Sequence, residues 1–279
     1  YFIRPQDAFT SNISTGTRYN FGIQDNIYLW DKRVLLVAGA RYDYVQNNGT
    51  FNRVTRVQSP VLSTTNTVYK FGAVVKPFKD RGISLFANYS ETFEPKFGEL
   101  IVGSGIPFKN QGGEAKEVGL KLELMDARLI LTSAYFEADV TNLSIFEINP
   151  VTGLNENTQG GVSPSSGWDM DMSWSVNENW TFLVGLQDVD SKDFRGLRLR
   201  AVPNELTYKA FVRYQVSSGS RFEGLSVGGG LDYVGERAGD TSNTYFEPGF
   251  TSYDAFVSYR RGPWRYQVNG YNLTNETSF

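Results

Sequence analysis

Hydrophobic and polar side chains alternate in three segments between positions 224 and 276, and this alternation predicts β-strands. A period of two indicates a strand because successive side chains of a strand point to opposite faces. The apolar positions are Leu225, Val227, Leu231, Tyr233, Tyr253, Ala255, Val257, Tyr259, Trp264, Tyr266 and Val268. In the second segment only Phe256 interrupts the polar series between them. We therefore predict three strands, each with one apolar and one polar face.

The connections between these strands differ in length. A long polar loop, Glu236 to Gly249, joins the first strand to the second, whereas the short turn 261–263 joins the second to the third. Long loops at one end and tight turns at the other are typical of outer-membrane β-barrels. The aromatic residues Tyr233, Tyr259 and Trp264 lie near strand ends, where such barrels carry their interfacial girdles.

Long and short connections alternate along the whole chain, which predicts twelve strands in a single domain, 1–279. The nine other predicted strands are 17–30, 34–45, 68–77, 82–90, 115–124, 129–139, 167–176, 180–188 and 204–216. The predicted long loops are 1–15, 46–66, 96–113, 140–166 and 191–202, with 140–166 the longest. The pattern thus predicts an all-β fold, a transmembrane antiparallel up-and-down β-barrel of about twelve strands.

The composition excludes most kinds of enzyme. The 279 residues include no Cys and no His, which removes thiol nucleophiles, Ser-His-Asp chemistry and the commonest transition-metal ligand. A net charge of −3 provides no basic surface for nucleic acid. A mean hydropathy of −0.34 together with 15% aromatic residues suits a barrel with a polar lumen. We expect no enzymatic activity, no cofactor and no metal site.

Short motifs at the strand ends resemble those of TonB-dependent siderophore receptors. The resemblance extends from about Ile23 to Asn275. Its motifs are Gly39–Asp43, Ser90–Pro95, Glu117–Lys121, Tyr233–Arg237, Pro248–Phe250 with Asp254 downstream, and Asn272–Asn275. The chain is similar to the C-terminal barrel portion of that family.

The resemblance implies active transport of a ferric siderophore, or a similar metal chelate, across the outer membrane of a Gram-negative bacterium. TonB would supply the energy, and outer-membrane lipid would surround the barrel. The family's barrel has 22 strands, so the twelve strands of this chain are expected to be part of such a barrel, roughly its C-terminal half. The family's plug domain has no counterpart in these residues. The Asn272–Asn275 motif lies on the family's penultimate strand, so Phe279 is expected to fall in the last extracellular loop. Relatives also carry cobalamin, nickel chelates or sugars, and the cargo stays open.

Receptors of this type bind chelates with aromatic and cationic side chains of their loops. The candidate ligand-binding residues are Phe93, Phe97, Phe108, Arg195, Arg198, Tyr245 and Phe246. The alternative is that these aromatics pack loop against loop, and that the arginines neutralise neighbouring acids or lipopolysaccharide phosphate.

Two polar pairs are predicted to face the lumen. They are Arg41 with Asp43, and Asp169 with Asp171. Each pair either lines a permeation path or grips a plug, or it belongs to a solvated wall that satisfies itself through cross-strand contacts. Asp169 and Asp171 share one face of a strand, but no base partner or oxygen cage lies nearby in sequence.

Other functional classes remain possible at this point. Twelve is an even number of strands, which suits a passive porin or a small barrel enzyme such as a lipase. The missing His, the family motifs and a chain that stops in a predicted loop argue against both. A soluble β-sandwich is disfavoured because its exposed Trp, Met and Leu side chains would need a second sheet to cover them.

Overall fold

The computed structural model describes residues 12–98, 101, 105–148, 153, 155–200, 202–203 and 206–277. Twelve long strands within these ranges form one antiparallel sheet. They are β1 (Asn12–Leu29), β2 (Val34–Asn52), β3 (Leu62–Val75), β4 (Ile83–Glu94), β5 (Gln111–Leu124), β6 (Leu129–Ile148), β7 (Asn155–Ser175), β8 (Trp180–Ser191), β9 (Thr207–Gln215), β10 (Leu225–Val234), β13 (Phe250–Arg261) and β14 (Trp264–Gly270). Two further strands, β11 (Arg237–Ala238) and β12 (Phe246–Glu247), pair with each other inside the loop after β10.

Every long strand pairs with the next long strand along the chain, so the sheet is an up-and-down meander. The all-β fold and the twelve predicted strands are confirmed. β1 and β14 form the two edges of an open sheet. No helix among the described residues has the length and apolarity needed to cross a membrane. We call the end with the long connections the loop end and the opposite end the turn end.

The predicted boundaries of several loops are wrong, because the strands continue beyond the segments with an alternating pattern. β6 runs to Ile148 and β7 starts at Asn155, so most of the predicted loop 140–166 is a paired hairpin. β2 and β3 likewise extend into the predicted loop 46–66. Backbone pairing persists there although the apolar–polar alternation has stopped, because the hydrogen bonds between strands are made by the backbone and do not depend on an alternating sequence. Most of the predicted first loop, and Phe279, lie outside the described residues.

The register brings the apolar positions of all twelve strands onto one continuous face. Met172, for example, lies opposite Leu131 on one side and Val184 on the other. Val257 lies between Val227 and Val268 in the same way. Many of these side chains are exposed, since they have no second sheet to cover them. This face is the one a barrel presents to lipid.

Aromatic rings border the apolar face at both ends. Toward the loop end, ring pairs include Tyr135–Trp168 at 5.1 Å and Tyr208–Tyr233 at 5.0 Å between centroids. Toward the turn end, Trp180 lies 4.7 Å from the ring of Tyr214. These two rows match the interfacial girdles that the sequence predicted.

The opposite face is polar, but phenylalanine rings interrupt it beside glycines of the neighbouring strand. The ring of Phe86 covers Gly119, and the ring of Phe256 covers Gly228. Phe256 was the residue that broke the predicted polar series of its strand. Its ring fills the space that the missing glycine side chain leaves on the next strand, which explains an aromatic residue on this inner face.

Candidate ligand-binding site at the loop end

The loop between β4 and β5, residues 95–110, is tied to three neighbouring strands. The backbone N–H of Lys109 donates to Oε1 of Gln159 at 2.7 Å, and Nε2 of Gln159 donates to the Lys109 carbonyl at 2.8 Å. Asn110 Nδ2 donates to Thr64 Oγ1 at 2.8 Å, and its carbonyl accepts from Asn142 Nδ2 at 2.9 Å. This loop is therefore positioned by β3, β6 and β7.

The three predicted aromatics of this region occupy different environments. Phe108 is only 6% exposed, so its ring is almost fully buried. Phe97 is half-buried and follows β4. Phe93 is half-buried on β4, on the same side of the strand as the outward-facing Leu85 and Tyr89. Of the three rings only that of Phe108 is buried, and the role of all three as ligand contacts stays a prediction.

The loop between β8 and β9, residues 192–206, is organised around a buried carboxylate. Asp193 is 4% exposed, and its Oδ1 accepts hydrogen bonds from the backbone N–H groups of Arg195 and Leu197. Its Oδ2 accepts from Arg195 Nε at 2.8 Å. The Cβ of Phe194 lies against Gly161 of β7, and a side chain at that position would collide with it. Asp193 is a residue that the sequence analysis missed, although its position three residues before Gly196 is a turn signal.

The loop between β10 and β13, residues 235–249, docks on the 192–206 loop through an asparagine. Asn243 Oδ1 accepts from the backbone N–H of Arg198 at 2.7 Å, and Asn243 Nδ2 donates to the Arg198 carbonyl at 3.0 Å. A second link joins Arg195 Nη2 to the carbonyl of Thr241 at 2.9 Å. Together with Lys109–Gln159 and Phe194–Gly161, these contacts connect the loop-end segments from β4 to β13 into one surface.

A turn inside the 235–249 loop is stabilised by Asp240. Its carboxylate accepts hydrogen bonds from the hydroxyl and the backbone N–H of Thr244. Hydrogen bonding favours the charged form, so the hydroxyl of Thr244 and then its N–H hold the pKa of Asp240 below its usual value. The turn presents Tyr245, whose hydroxyl donates to the Gly239 carbonyl at 3.0 Å.

The structure brings four of the seven predicted ligand-binding residues to this pair of loops. The guanidinium of Arg198 lies over the ring of Phe246, 5.4 Å from its centroid, which is cation–π distance. Its Nη1 also donates to Glu236 Oε1, over a long 3.4 Å. Phe246 is 40% and Tyr245 53% exposed. A cation and two aromatic rings are therefore available to a ligand at the loop end.

Arg195 is bound more tightly than Arg198. Its guanidinium contacts the buried Asp193 through two nitrogens at 2.8 Å each, and it also reaches Thr241. Replacing such a charge-assisted pair with a ligand contact would leave Asp193 buried and uncompensated. Arg195 is held in place as part of the loop, whereas Arg198 has a longer and more exposed partner.

The predicted lumen-facing pairs lie on the polar inner face but far apart along the sheet. Asp43 is 1% exposed, and its carboxylate contacts Arg41 Nε at 2.9 Å and Arg18 Nε at 3.7 Å. Arg18, on β1, was not singled out from the sequence. Asp169 and Asp171 lie on β7, opposite Ala134 and Thr132 of β6.

These pairs therefore do not converge on one site. Among the residues that the structure describes, no cluster of three acidic side chains is arranged to hold a metal ion. The closed contacts around Asp43 favour a wall that satisfies its own charges.

Comparison with known proteins identifies the family that this chain matches. The family described as TonB dependent receptor-like, beta-barrel, matches residues 2–273. The metal-pseudopaline receptor CntO of Pseudomonas aeruginosa is 31% identical over 253 residues, which cover 85% of this chain and 34% of that receptor. The ferrichrome outer membrane transporter/phage receptor of Escherichia coli is 26% identical over 236 residues, 82% of this chain and 30% of the transporter. This chain spans about a third of the length of these curated relatives.

Solved structures share the fold. The siderophore receptor PiuA of Acinetobacter baumannii has a TM-score of 0.75 at 20% identity, over 94% of this chain and 40% of that chain. The ferric yersiniabactin uptake receptor FyuA of Yersinia pestis has a TM-score of 0.77 at 15% identity, over 95% of this chain and 42% of that chain. The alternating face, the loop and turn ends, and a family match along nearly the whole chain agree: the chain belongs to the TonB-dependent receptor β-barrel family.

Proposed function

We propose that this chain is part of an outer-membrane receptor that binds a ferric siderophore or similar metal chelate and imports it with energy supplied through TonB. Its named relatives include a metal-pseudopaline receptor, a ferrichrome transporter and a ferrioxamine B receptor. These relatives take different chelates, so the proposal extends to the class of ligand and not to one compound.

The observation that carries the proposal is the exposed group Arg198, Tyr245 and Phe246 at the loop end. Arginine pairs with anionic oxygens, and aromatic rings provide large apolar contact with little loss of conformational freedom. A metal chelate offers both kinds of surface, since its donor oxygens are polar and its backbone is partly apolar. Arg198 is the stronger of the two arginine candidates because its contact with Glu236 is long and exposed.

Arg195 has a different role in this proposal. Its contacts with Asp193 and Thr241 hold the 192–206 loop against the 235–249 loop. It thereby positions Arg198 and does not itself contact the chelate. Phe108, which is only 6% exposed, supports the neighbouring 95–110 loop in a comparable way.

Uptake assays on the full-length receptor test the function. Cells that express it are given radiolabelled ferric hydroxamate, catecholate and carboxylate chelates, together with nickel and zinc chelates, with and without a functional TonB. We expect binding of at least one chelate in both strains and uptake only in the strain with TonB. Passive conductance of small solutes in liposomes, together with no chelate binding, would contradict the proposed receptor function and indicate a porin.

Replacing Arg198 with alanine is expected to weaken chelate binding by about tenfold. The variant loses a charge-assisted contact, and about 1.4 kcal/mol corresponds to that factor. Binding of the labelled chelate to whole cells is measured at equal surface expression. Arg221→Ala is the matched control, because Arg221 stacks on Phe222 at 5.9 Å but belongs to the connection between β9 and β10 at the turn end.

The comparison with Arg195 separates the two roles. Arg195→Ala is expected to make the 192–206 loop more sensitive to protease, whereas Arg198→Ala leaves that sensitivity unchanged. If the Arg195→Ala, Arg198→Ala double variant takes up chelate like the unmodified receptor, both arginines serve only to neutralise Asp193 and Glu236.

A further inference from the structure

Two amide side chains at the loop end each bind the backbone of a cationic residue in the same way. Gln159 on β7 accepts from the backbone N–H of Lys109 at 2.7 Å and donates to its carbonyl at 2.8 Å. Asn243 does the same for Arg198, at 2.7 and 3.0 Å. A side-chain amide can make both bonds because it carries an acceptor oxygen and donor N–H groups. We call these two contacts the amide clamps.

The residue in the first amide clamp, Lys109, was not among the candidates named from the sequence. Its side chain is exposed, and its ammonium group makes no ion pair within the described ranges of the chain. Both hydrogen bonds of the clamp use the backbone of Lys109. The clamp therefore fixes the position of Lys109 and leaves its ammonium group available to a ligand.

A second lysine of the same loop provides a contrast. Lys96 Nζ lies 2.8 Å from Oε1 of Glu94, and the Lys96 side chain is only 15% exposed. Its charge is thus neutralised within the loop, whereas that of Lys109 is not. The difference cannot be seen in the sequence, where both are lysines of one polar segment.

The two amide clamps belong to one surface because both are joined to the same end of β7. Lys109 is held there by Gln159. The loop that carries Arg198 is held there by Phe194, whose Cβ lies against Gly161, two residues after Gln159. The cations of the two clamps therefore stand on neighbouring loops with one strand end between them.

We infer that Lys109 is a further contact residue of the chelate site, that Gln159 is its positioning residue, and that the site takes a metal chelate with a net negative charge. The inference rests on the proposed function and narrows it. Two cations on one surface attract an anionic ligand and give a neutral one no such advantage. Neither is neutralised at close range, since the Glu236 carboxylate lies 3.4 Å from Arg198.

Binding of chelates to cells that express the full-length receptor tests the contact. The probes are two anionic chelates, a ferric tricatecholate and ferric citrate, and a neutral ferric trihydroxamate. We expect the unmodified receptor to bind an anionic chelate more tightly than the neutral one. Lys109→Ala should weaken that binding by about tenfold, as for the loss of one charge-assisted contact. Lys109→Arg should restore most of it, and the matched control Lys96→Ala should leave it unchanged.

A double-mutant cycle tests the positioning role of Gln159. Gln159→Leu removes both hydrogen bonds of the clamp, so it should weaken chelate binding and make the 95–110 loop more sensitive to protease. Lys109→Ala should leave that sensitivity unchanged, because the clamp uses only the backbone of Lys109. If Gln159 acts through Lys109, adding Lys109→Ala to Gln159→Leu should cost less than Lys109→Ala does by itself.

Several results would overturn the inference while leaving the proposed function intact. They are equal binding of an anionic chelate by the Lys109→Ala variant and the unmodified receptor, tighter binding of the neutral chelate, and additive effects of the two substitutions. Equal protease sensitivity of Gln159→Leu and the unmodified receptor, measured without any chelate, would overturn the clamp by itself. No chelate binding by the unmodified receptor would instead contradict the proposed function and, with it, the class of ligand.

Discussion

Replacing Met172 with arginine is expected to destabilise the folded receptor by about 2–4 kcal/mol. Met172 lies on the apolar face between Leu131 and Val184, in the interval of β7 bordered by Trp168 and Trp174. The family of this chain is embedded in the outer membrane of Gram-negative bacteria, so this interval faces the hydrocarbon core. An arginine there must be desolvated or must distort the bilayer around it. Reversible urea unfolding of the full-length receptor in phospholipid vesicles measures the free energy.

The neighbouring position provides the matched control. Ser173 lies on the polar inner face. We expect Ser173→Arg to reduce the free energy of unfolding far less than Met172→Arg, because the new side chain reaches water. Val257→Arg repeats the test on β13, where Val257 is half exposed between two valines of adjacent strands. Equal free energies of unfolding for Met172→Arg and Ser173→Arg would contradict the assignment of a lipid-facing and an inner face, and a larger loss for Ser173→Arg would reverse it.

Replacing Gly119 with alanine is expected to destabilise the receptor by about 1–3 kcal/mol, the usual cost of overpacking. The added methyl group would collide with the ring of Phe86, and it would lie 2.7 Å from the backbone carbonyl oxygen of Ser133. The ring can turn aside, but the carbonyl belongs to the hydrogen-bonded ladder of β5 and β6 and cannot move without disturbing it. The same unfolding experiment measures the loss.

A second glycine on the inner face provides a control, because a methyl group added there meets no backbone atom. At Gly185 a methyl group would meet only the Oδ1 of Asp171 at 3.2 Å, at the end of a flexible side chain. Gly185→Ala is therefore expected to change the free energy of unfolding by less than Gly119→Ala does. Adding Phe86→Leu to Gly119→Ala should recover part of the loss. If the two alanine variants are equally stable, the close approach of Phe86 to Gly119 is not important for stability.

The contacts among the loops have a consequence for recognition. Asn243 and Thr241 join the 235–249 loop to Arg198 and Arg195 of the 192–206 loop. That loop in turn packs on β7 through Phe194, and β7 holds Lys109 of the 95–110 loop through Gln159. A ligand that displaces one loop therefore changes the contacts of the next. This arrangement favours a binding surface that responds as a unit.

The alternation of apolar and polar residues determined the fold by itself. Each strand must bury or expose one whole face, so segments such as 167–176 and 264–269 are readable one at a time. The alternation of long and short connections then gave the order of the strands, because neighbours in an up-and-down sheet are joined directly. The family motifs of Gly39–Asp43 and Glu117–Lys121 indicated the TonB-dependent receptor family, and the match over residues 2–273 confirms this.

The tertiary structure alone decided which charges are balanced and which glycines are required. Ion pairs such as Arg18 with Asp43 join residues 25 positions apart in the chain, and their approach depends on the register of two strands. The same is true of Phe86 with Gly119 and of Arg198 with Asn243. The sequence shows which side of a strand a residue occupies, but the neighbour that it meets is set by pairing across the sheet. For that reason Arg195 and Arg198 look equivalent in the sequence, and only the structure separates them.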